Sequence, residues 1–429
     1  MKVFQGWAIM LRRVLASPLA LGLLIIGSQD ALAQSGQDAT VSLFDRGRNV
    51  SVRERSQPAL DPLGVPVGAF LLSPSIEANY NYTDNLLATD TDRLGASSAQ
   101  LGAAATLASR WSRHSVSAGG RVNTVRTPRF ENLSYTDYSA TLGGTLDIGT
   151  RTALSGDVLF GSFNETPDAS PVAAILAEPT RFELTQVVVS ARHERNRLRL
   201  SARGELRSFD FGASSTLDGA VLDQSFRDRL DVNAGGRVEY AITPVLAGLI
   251  DVERYSRDFD VGGVANATGV RLLTGVNFDA ARLMRGEVSV GRFREDNGVG
   301  EVAGIATRAS VELFPDELVT VSLNAERETA DANVGDAGSR VRTGGSATLD
   351  YELRRNIILS CSALFSRENF TGIDRRDERW TARASMDYRV NRVVSLGVSY
   401  ERQGQTSQGL EAGRSFDINR LLAGVRLRR

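Results

Sequence analysis

Among its 429 residues the chain has one cysteine, Cys361, and two histidines, His114 and His193. A single thiol excludes an internal disulfide framework, and one cysteine with two distant histidines cannot build a zinc site of the usual spacing. Acid–base and nucleophilic catalysis usually set a histidine against a nucleophile and an orienting carboxylate. Ser112 and Ser115 flank His114, and Glu194 follows His193, but neighbours along a turn are not an active-site geometry. No catalytic residue, metal ligand or cofactor is therefore assigned, and the chain is not read as an enzyme. Lysine is confined to Lys2, and 50 basic residues face 51 acidic ones, which leaves no excess positive charge for binding nucleic acid. Beyond the N-terminus no run approaches the ~20 apolar residues of a spanning helix. The pairs Gly119-Gly120, Gly143-Gly144, Gly235-Gly236 and Gly344-Gly345 fall in mid-strand. There they relieve curvature rather than cradle phosphate.

What is present begins at the N-terminus. Lys2, Arg12 and Arg13 precede an apolar run from Val14 to Gly27 and a small-x-small site at Ala31-Leu32-Ala33. This is the pattern of a secretory signal peptide over residues 1–33, cleaved after Ala33. The alternative, an uncleaved anchor helix, is weakened by Pro18 and Gly22, which interrupt a run already short for a span. Residues 34–66 are rich in Gln, Ser, Asp, Arg, Gly and Pro and read as a flexible periplasmic leader, or as a docking peptide for a partner.

From residue 67 to 429 a period of two dominates. Leu198, Leu200, Ala202, Gly204 and Leu206 alternate with Arg199, Ser201, Arg203, Glu205 and Arg207, the signature of a strand. Three arginines and a glutamate on one face must meet water, because placing them in an apolar core costs several kcal/mol each. The sequence offers no helices to cover the other face. A soluble all-β protein remains the alternative, but lipid is the simpler apolar solvent, and the chain is read as all-β, a transmembrane antiparallel up-and-down barrel.

Turns of two lengths punctuate the pattern. Short ones are expected at 111–114, 149–151, 195–197, 243–244, 281–282, 315–317, 354–356 and 391–392. Longer loops are expected at 84–95, 127–134, 163–181, 212–225, 258–266, 297–301, 330–338, 371–376 and 403–413. Together they join about eighteen strands, with short turns in the periplasm and long loops outside. Loop 163–181 could fold inward or outward. Tyr80, Tyr82, Trp111, Tyr138, Tyr240, Tyr255, Trp380, Tyr388 and Tyr400 tend towards strand ends, as interfacial girdles require, or are ordinary strand aromatics. Arg292 and Arg420 fall on the expected lipid face, so either they lie near a rim or the register differs there. Cys361 faces outward as a small apolar residue.

The water-facing positions carry both signs of charge. Arg199, Arg203, Glu205, Arg207, Arg237, Glu239, Asp251, Glu253, Arg342, Asp350, Arg383, Asp387 and Arg389 are the lumen-lining candidates. Near balance argues against the one-signed ring of a strongly selective pore, and few aromatics are expected to face inward. These charges either shape a path for neutral or weakly charged polar solutes or pair across strands to satisfy one another.

The stretch Gly68-Ala69-Phe70-Leu71-Leu72-Ser73-Pro74-Ser75, with Tyr82-Thr83-Asp84-Asn85 after it and Ser109-Arg110-Trp111-Ser112-Arg113-His114 further on, resembles the β-barrel porin type 2 family of Gram-negative outer membranes. The resemblance covers about residues 61–429. It implies an outer-membrane barrel surrounded by lipid, either a passive porin or the outer-membrane component of surface-polysaccharide export working with periplasmic export components. A structural or adhesion barrel with a plugged lumen is the alternative from another class. The last strand, with Leu421, Ala423, Val425 and Leu427, is similar to the signal read by barrel-assembly machinery, but it ends in Arg428-Arg429 rather than an aromatic.

Overall fold

The computed structural model describes residues 49–170, 174–260, 266–334 and 337–429. The expected signal peptide and residues 34–48 of the leader lie outside the described residues. Eighteen long strands follow one another in chain order. They are β1 (Phe70–Thr83), β2 (Ala96–Ser109), β3 (Ser115–Arg126), β4 (Tyr135–Ile148), β5 (Thr152–Glu165), β6 (Thr180–Arg195), β7 (Leu198–Phe211), β8 (Arg229–Ala241) and β9 (Leu246–Phe259). The second half comprises β10 (Ala267–Ala280), β11 (Met284–Asp296), β12 (Glu301–Asp316), β13 (Val319–Ala330), β14 (Ser339–Arg354), β15 (Ile357–Thr371), β16 (Arg376–Arg389), β17 (Val394–Gln408) and β18 (Phe416–Arg428).

Each strand pairs antiparallel with its predecessor, and β18 returns to β1 in a ladder from Ser75↔Arg428 to Thr83↔Arg420. The sheet is closed, so no long edge is left unpaired. A three-residue strand, Val65–Val67, folds back on Phe70–Leu72. Strands of about 14 residues, rising ~3.3 Å each and tilted ~45°, span roughly 30 Å, the thickness of a bilayer's hydrocarbon.

The alternation read in the sequence decides which face is which. Leu198, Leu200 and Leu206 are 37–44% exposed, whereas Arg199 and Glu205 between them are 7% and 8% exposed. Apolar side chains therefore point out and charged ones in, the reverse of a soluble protein. The short turns and long loops fall close to the expected positions and at opposite ends. The main displacement is at β17, whose ladder with β16 runs on to Gln408, past the expected loop start at residue 403.

Arg420 corrects the expected register. It lies inward, 2.9 Å from Glu401, while Leu421 beside it is 48% exposed. An arginine with a carboxylate on the next strand gains more by facing that partner than by facing lipid. Arg292, in contrast, lies on the exposed face with Val290, four residues from the loop end of β11.

Glycines set the sharpest curvature. A Cβ at Gly275 on β10 would fall 2.2 Å from the Val288 carbonyl, and one at Gly291 on β11 would fall 1.8 Å from the Leu272 carbonyl. No larger residue fits that approach, and the bend brings inward side chains of non-adjacent strands within reach of each other.

Candidate functional site

The lumen is built from the inward-facing half of each strand, and its two sides differ. On β7 to β17 it is a wall of ion pairs. Arg199 lies 3.5 Å from Glu239, and Arg237 lies 2.7 Å from Glu239, 3.7 Å from Asp251 and 2.5 Å from Glu287. The last contact joins β8 to β11. Arg203 lies 3.0 Å from Glu205, and Arg207 is 3.7 Å from Glu205 and 3.6 Å from Asp231. Arg271 joins β10 to β9 and β13 through Glu253 at 2.5 Å and Glu328 at 2.6 Å. Arg342 is 3.9 Å from Glu326, and Arg383 is 2.6 Å from Glu401. Asp350 and Asp387 share Arg53, and Arg389 meets Asp61.

Every candidate named from the sequence thus has a partner of opposite sign. Burial makes these pairs consequential: Arg237 is 8% and Glu239 1% exposed. Removing one member of such a pair leaves a charge without compensation, at about 3–5 kcal/mol. Pairing across strands, one of the two sequence readings, describes this wall.

On β2 to β5 the inward side is different. Thr106, Gly119, Thr141 and Gly143 form a row of small side chains, with Thr106 and Thr141 exposed. Arg121 and Asp157 on this side are also exposed, and among the described residues no ion pair reaches Arg121. Thr106, Arg121, Thr141 and Asp157 are thus exposed, whereas Arg199, Arg237 and Glu239 on the other wall are buried.

The loop end is narrowed from within. Residues 167–170 of the expected loop 163–181 turn inward, one of the two courses open in the sequence. Asp168 lies 2.8 Å from Arg420, its carbonyl accepts from Arg379 at 3.3 Å, and Arg414 donates to the Ser170 carbonyl at 3.1 Å. Burial pushes the Asp168 carboxyl up, but Arg420 and Arg379 outweigh that and hold it below the ordinary range. Asp331, in the β13–β14 loop, is likewise raised by burial but held low by Arg229 and Arg257.

Beneath these loops sits a cluster that the sequence reading missed. Phe182, Leu184, Phe209 and Phe211 are buried together, with Leu159 and Phe163 against them. Arg227 lies over Phe211 at 3.9 Å and Arg229 over Phe209 at 4.3 Å, while Arg227 also holds Glu165 at 2.9 and 3.0 Å. The expectation of few inward aromatics fails here. Parity along β6 and β7 carried the signal, because Phe182, Phe209 and Phe211 fall in step with inward positions.

The aromatic candidates fall into two belts on the outer face. Tyr80, Tyr82 and Trp380 lie towards the loop end, Trp111, Tyr240 and Tyr388 lie towards the short-turn end, and Tyr400, 47% exposed, lies near the middle of β17. Trp111 packs edge-on against Phe70 with ring centres 5.7 Å apart, and Tyr138 is outward and 48% exposed. Tyr255 corrects the expectation: it is inward, 9% exposed and 2.6 Å from the Thr329 hydroxyl, a partner that lipid could not provide. A hollow of about 680 Å³ on β1 to β6 is lined mostly by outward residues such as Ile76, Val122 and Phe160, and so belongs to the lipid-facing surface. The two histidines shape turns: His114 Nδ1 accepts from the Asp147 N–H at 3.0 Å, and His193 meets the Thr152 hydroxyl at 2.8 Å.

The leader differs from its expected form over its described part. Residues 49–61 lie against the inner wall at the short-turn end, tied by Arg53, Arg55 and Asp61. Composition indicates low hydrophobicity, but charge matching, not an apolar face, holds this segment.

The family model described as "Putative beta-barrel porin 2" matches residues 57–429. No curated protein matches the chain. Similar solved structures include OccK3 of Pseudomonas aeruginosa, at 15% identity over 83% of this chain and 96% of that one, with a TM-score of 0.42. OccAB4 of Acinetobacter baumannii shares 14% identity over 83% and 98%, with a TM-score of 0.42. A mutant of the ferric enterobactin receptor PfeA of Pseudomonas aeruginosa shares 8% identity over 83% and 80%, with a TM-score of 0.45.

Proposed function

Because the chain belongs to the beta-barrel porin 2 family, we propose that it is a passive diffusion channel of the outer membrane for neutral or weakly charged polar solutes. The observation that carries this reading is the exposed row of small residues on β2 to β5, facing a wall whose charges are already paired. Paired charges contribute little net field, and small hydroxyl and glycine positions leave room for a hydrated solute. Thr106 and Thr141 offer hydroxyls to passing water, and Arg121 and Asp157 supply one charge of each sign.

Liposome swelling with sugars of increasing size tests it. Swelling that falls smoothly with solute size supports a passive channel. No swelling with any solute contradicts it.

The inward course of residues 167–170 favours a second reading, a barrel with a closed lumen that displays its other loops; absence of both swelling and conductance would support it. The polysaccharide-export role implied by the sequence resemblance gains no support from the family match and is not adopted.

A further inference from the structure

Residues 49–61 are bound inside the barrel's mouth, and their contacts are matched in sign. Asn49 starts the segment at the β10–β11 turn, donating to Asp279 Oδ1 at 2.7 Å, while its carbonyl accepts from Arg285 at 3.1 Å. Further round the wall, the Val52 N–H donates to the Thr320 hydroxyl at 3.0 Å, with Val52 1% exposed. Arg53 then reaches Asp350 at 2.7 Å and Asp387 at 3.3 Å, and Arg55 reaches Glu352 at 2.7 Å. Pairing also runs the other way, since Glu54 holds Arg285 at 2.7 Å and Asp61 holds Arg389 at 3.3 Å.

Ordering a polar segment loses conformational entropy, so it needs contacts specific enough to offset that loss. Here bases of the segment meet acids of the wall and acids meet bases, along an arc from β10 to β16. The same contacts hide Asp350, Glu352 and Asp387, which without Arg53 and Arg55 would face the mouth as an acidic arc. None of these pairs is needed to close the sheet, whose ladder is complete without them.

Resting on the diffusion-channel reading, the geometry points to a tethered gate: residues 49–61 narrow the short-turn mouth of the pore and mask its acidic arc. With the segment displaced, the mouth is wider and selects for cations.

The test is single-channel recording of the refolded mature chain in planar bilayers, beside a chain lacking residues 34–61 and the double variant R53E/R55E. Heat-dependent gel mobility reports whether each barrel is folded. Both variants are expected to show roughly doubled conductance and a reversal potential shifted towards cations. The charge swap R55E/E352R is expected to restore the parental conductance. Equal conductance and selectivity in the parent and the folded variants would overturn the gate and leave the channel standing. Silence in every folded form would overturn the channel reading, and the gate with it.

Discussion

The wall formed by β7 to β17 and the wall formed by β2 to β5 share one sheet, one alternation and one lumen, yet they use inward positions in opposite ways. The first fills them with arginine and carboxylate that satisfy each other, as Arg237 does with Glu239 and Glu287. The second carries a row of threonine and glycine, Thr106, Gly119, Thr141 and Gly143, with Arg121 and Asp157 exposed beside it. Charge in a barrel interior is therefore a poor guide to the solute path. Where charges are dense they lock strands together, and the proposed route for water lies where they are sparse.

The largest expected effect separates the walls by stability. Arg237→Ala should cost about 3–5 kcal/mol, because it strands buried carboxylates, whereas Arg121→Ala should stay within about 0.5 kcal/mol. Urea unfolding from lipid vesicles measures both, and equal losses would break the comparison.

Next comes conduction: Thr141→Trp should lower single-channel conductance by roughly half, since it fills the open side of the lumen. Selectivity follows. Arg121→Glu should move the cation-to-anion permeability ratio by about twofold, whereas Asp251→Asn, whose charge sits in a network with Arg237, should move it less.

A smaller effect concerns pH at the loop end. Asp168 and Asp331 have carboxyls held below their ordinary value, so their stabilisation is complete above about pH 4 and is lost as pH falls through the depressed folded values. Loop contacts should loosen only in that acid range, visible as increased current noise, and Asp168→Asn should reduce the change. The smallest effect is on the outer face. Arg292→Leu should change stability by about 0–1 kcal/mol, as expected for an arginine near an interface.

The barrel was legible in the sequence because period-two alternation repeats on strand after strand. A register error on one strand does not erase the others. The charged candidates were legible for the same reason, since parity alone sorts Arg199 and Glu239 inward. Their partners were not. That Arg237 meets Glu287 three strands away depends on curvature set by Gly275 and Gly291, a property of close backbone approach that no local pattern carries. Tyr255 lies near a strand end, as a girdle residue would, but its parity with Glu253 and Arg257 turns it inward. The bound leader was missed because a polar, proline-containing stretch reads as disordered until the wall that complements Arg53 and Arg55 is in place.

The most direct test of the account is thiol accessibility during conduction, in a Cys361→Ser background so that no native thiol competes. Thr141→Cys places a thiol on the small-residue wall, and Ser289→Cys places one on the ion-pair wall, where Ser289 is 3% exposed. A water-soluble, charged thiol reagent added to a conducting channel should react at position 141 and cut the current, and leave position 289 and its current untouched. Reaction at 289 with none at 141 would contradict the claim that the water path follows the wall with fewer charges.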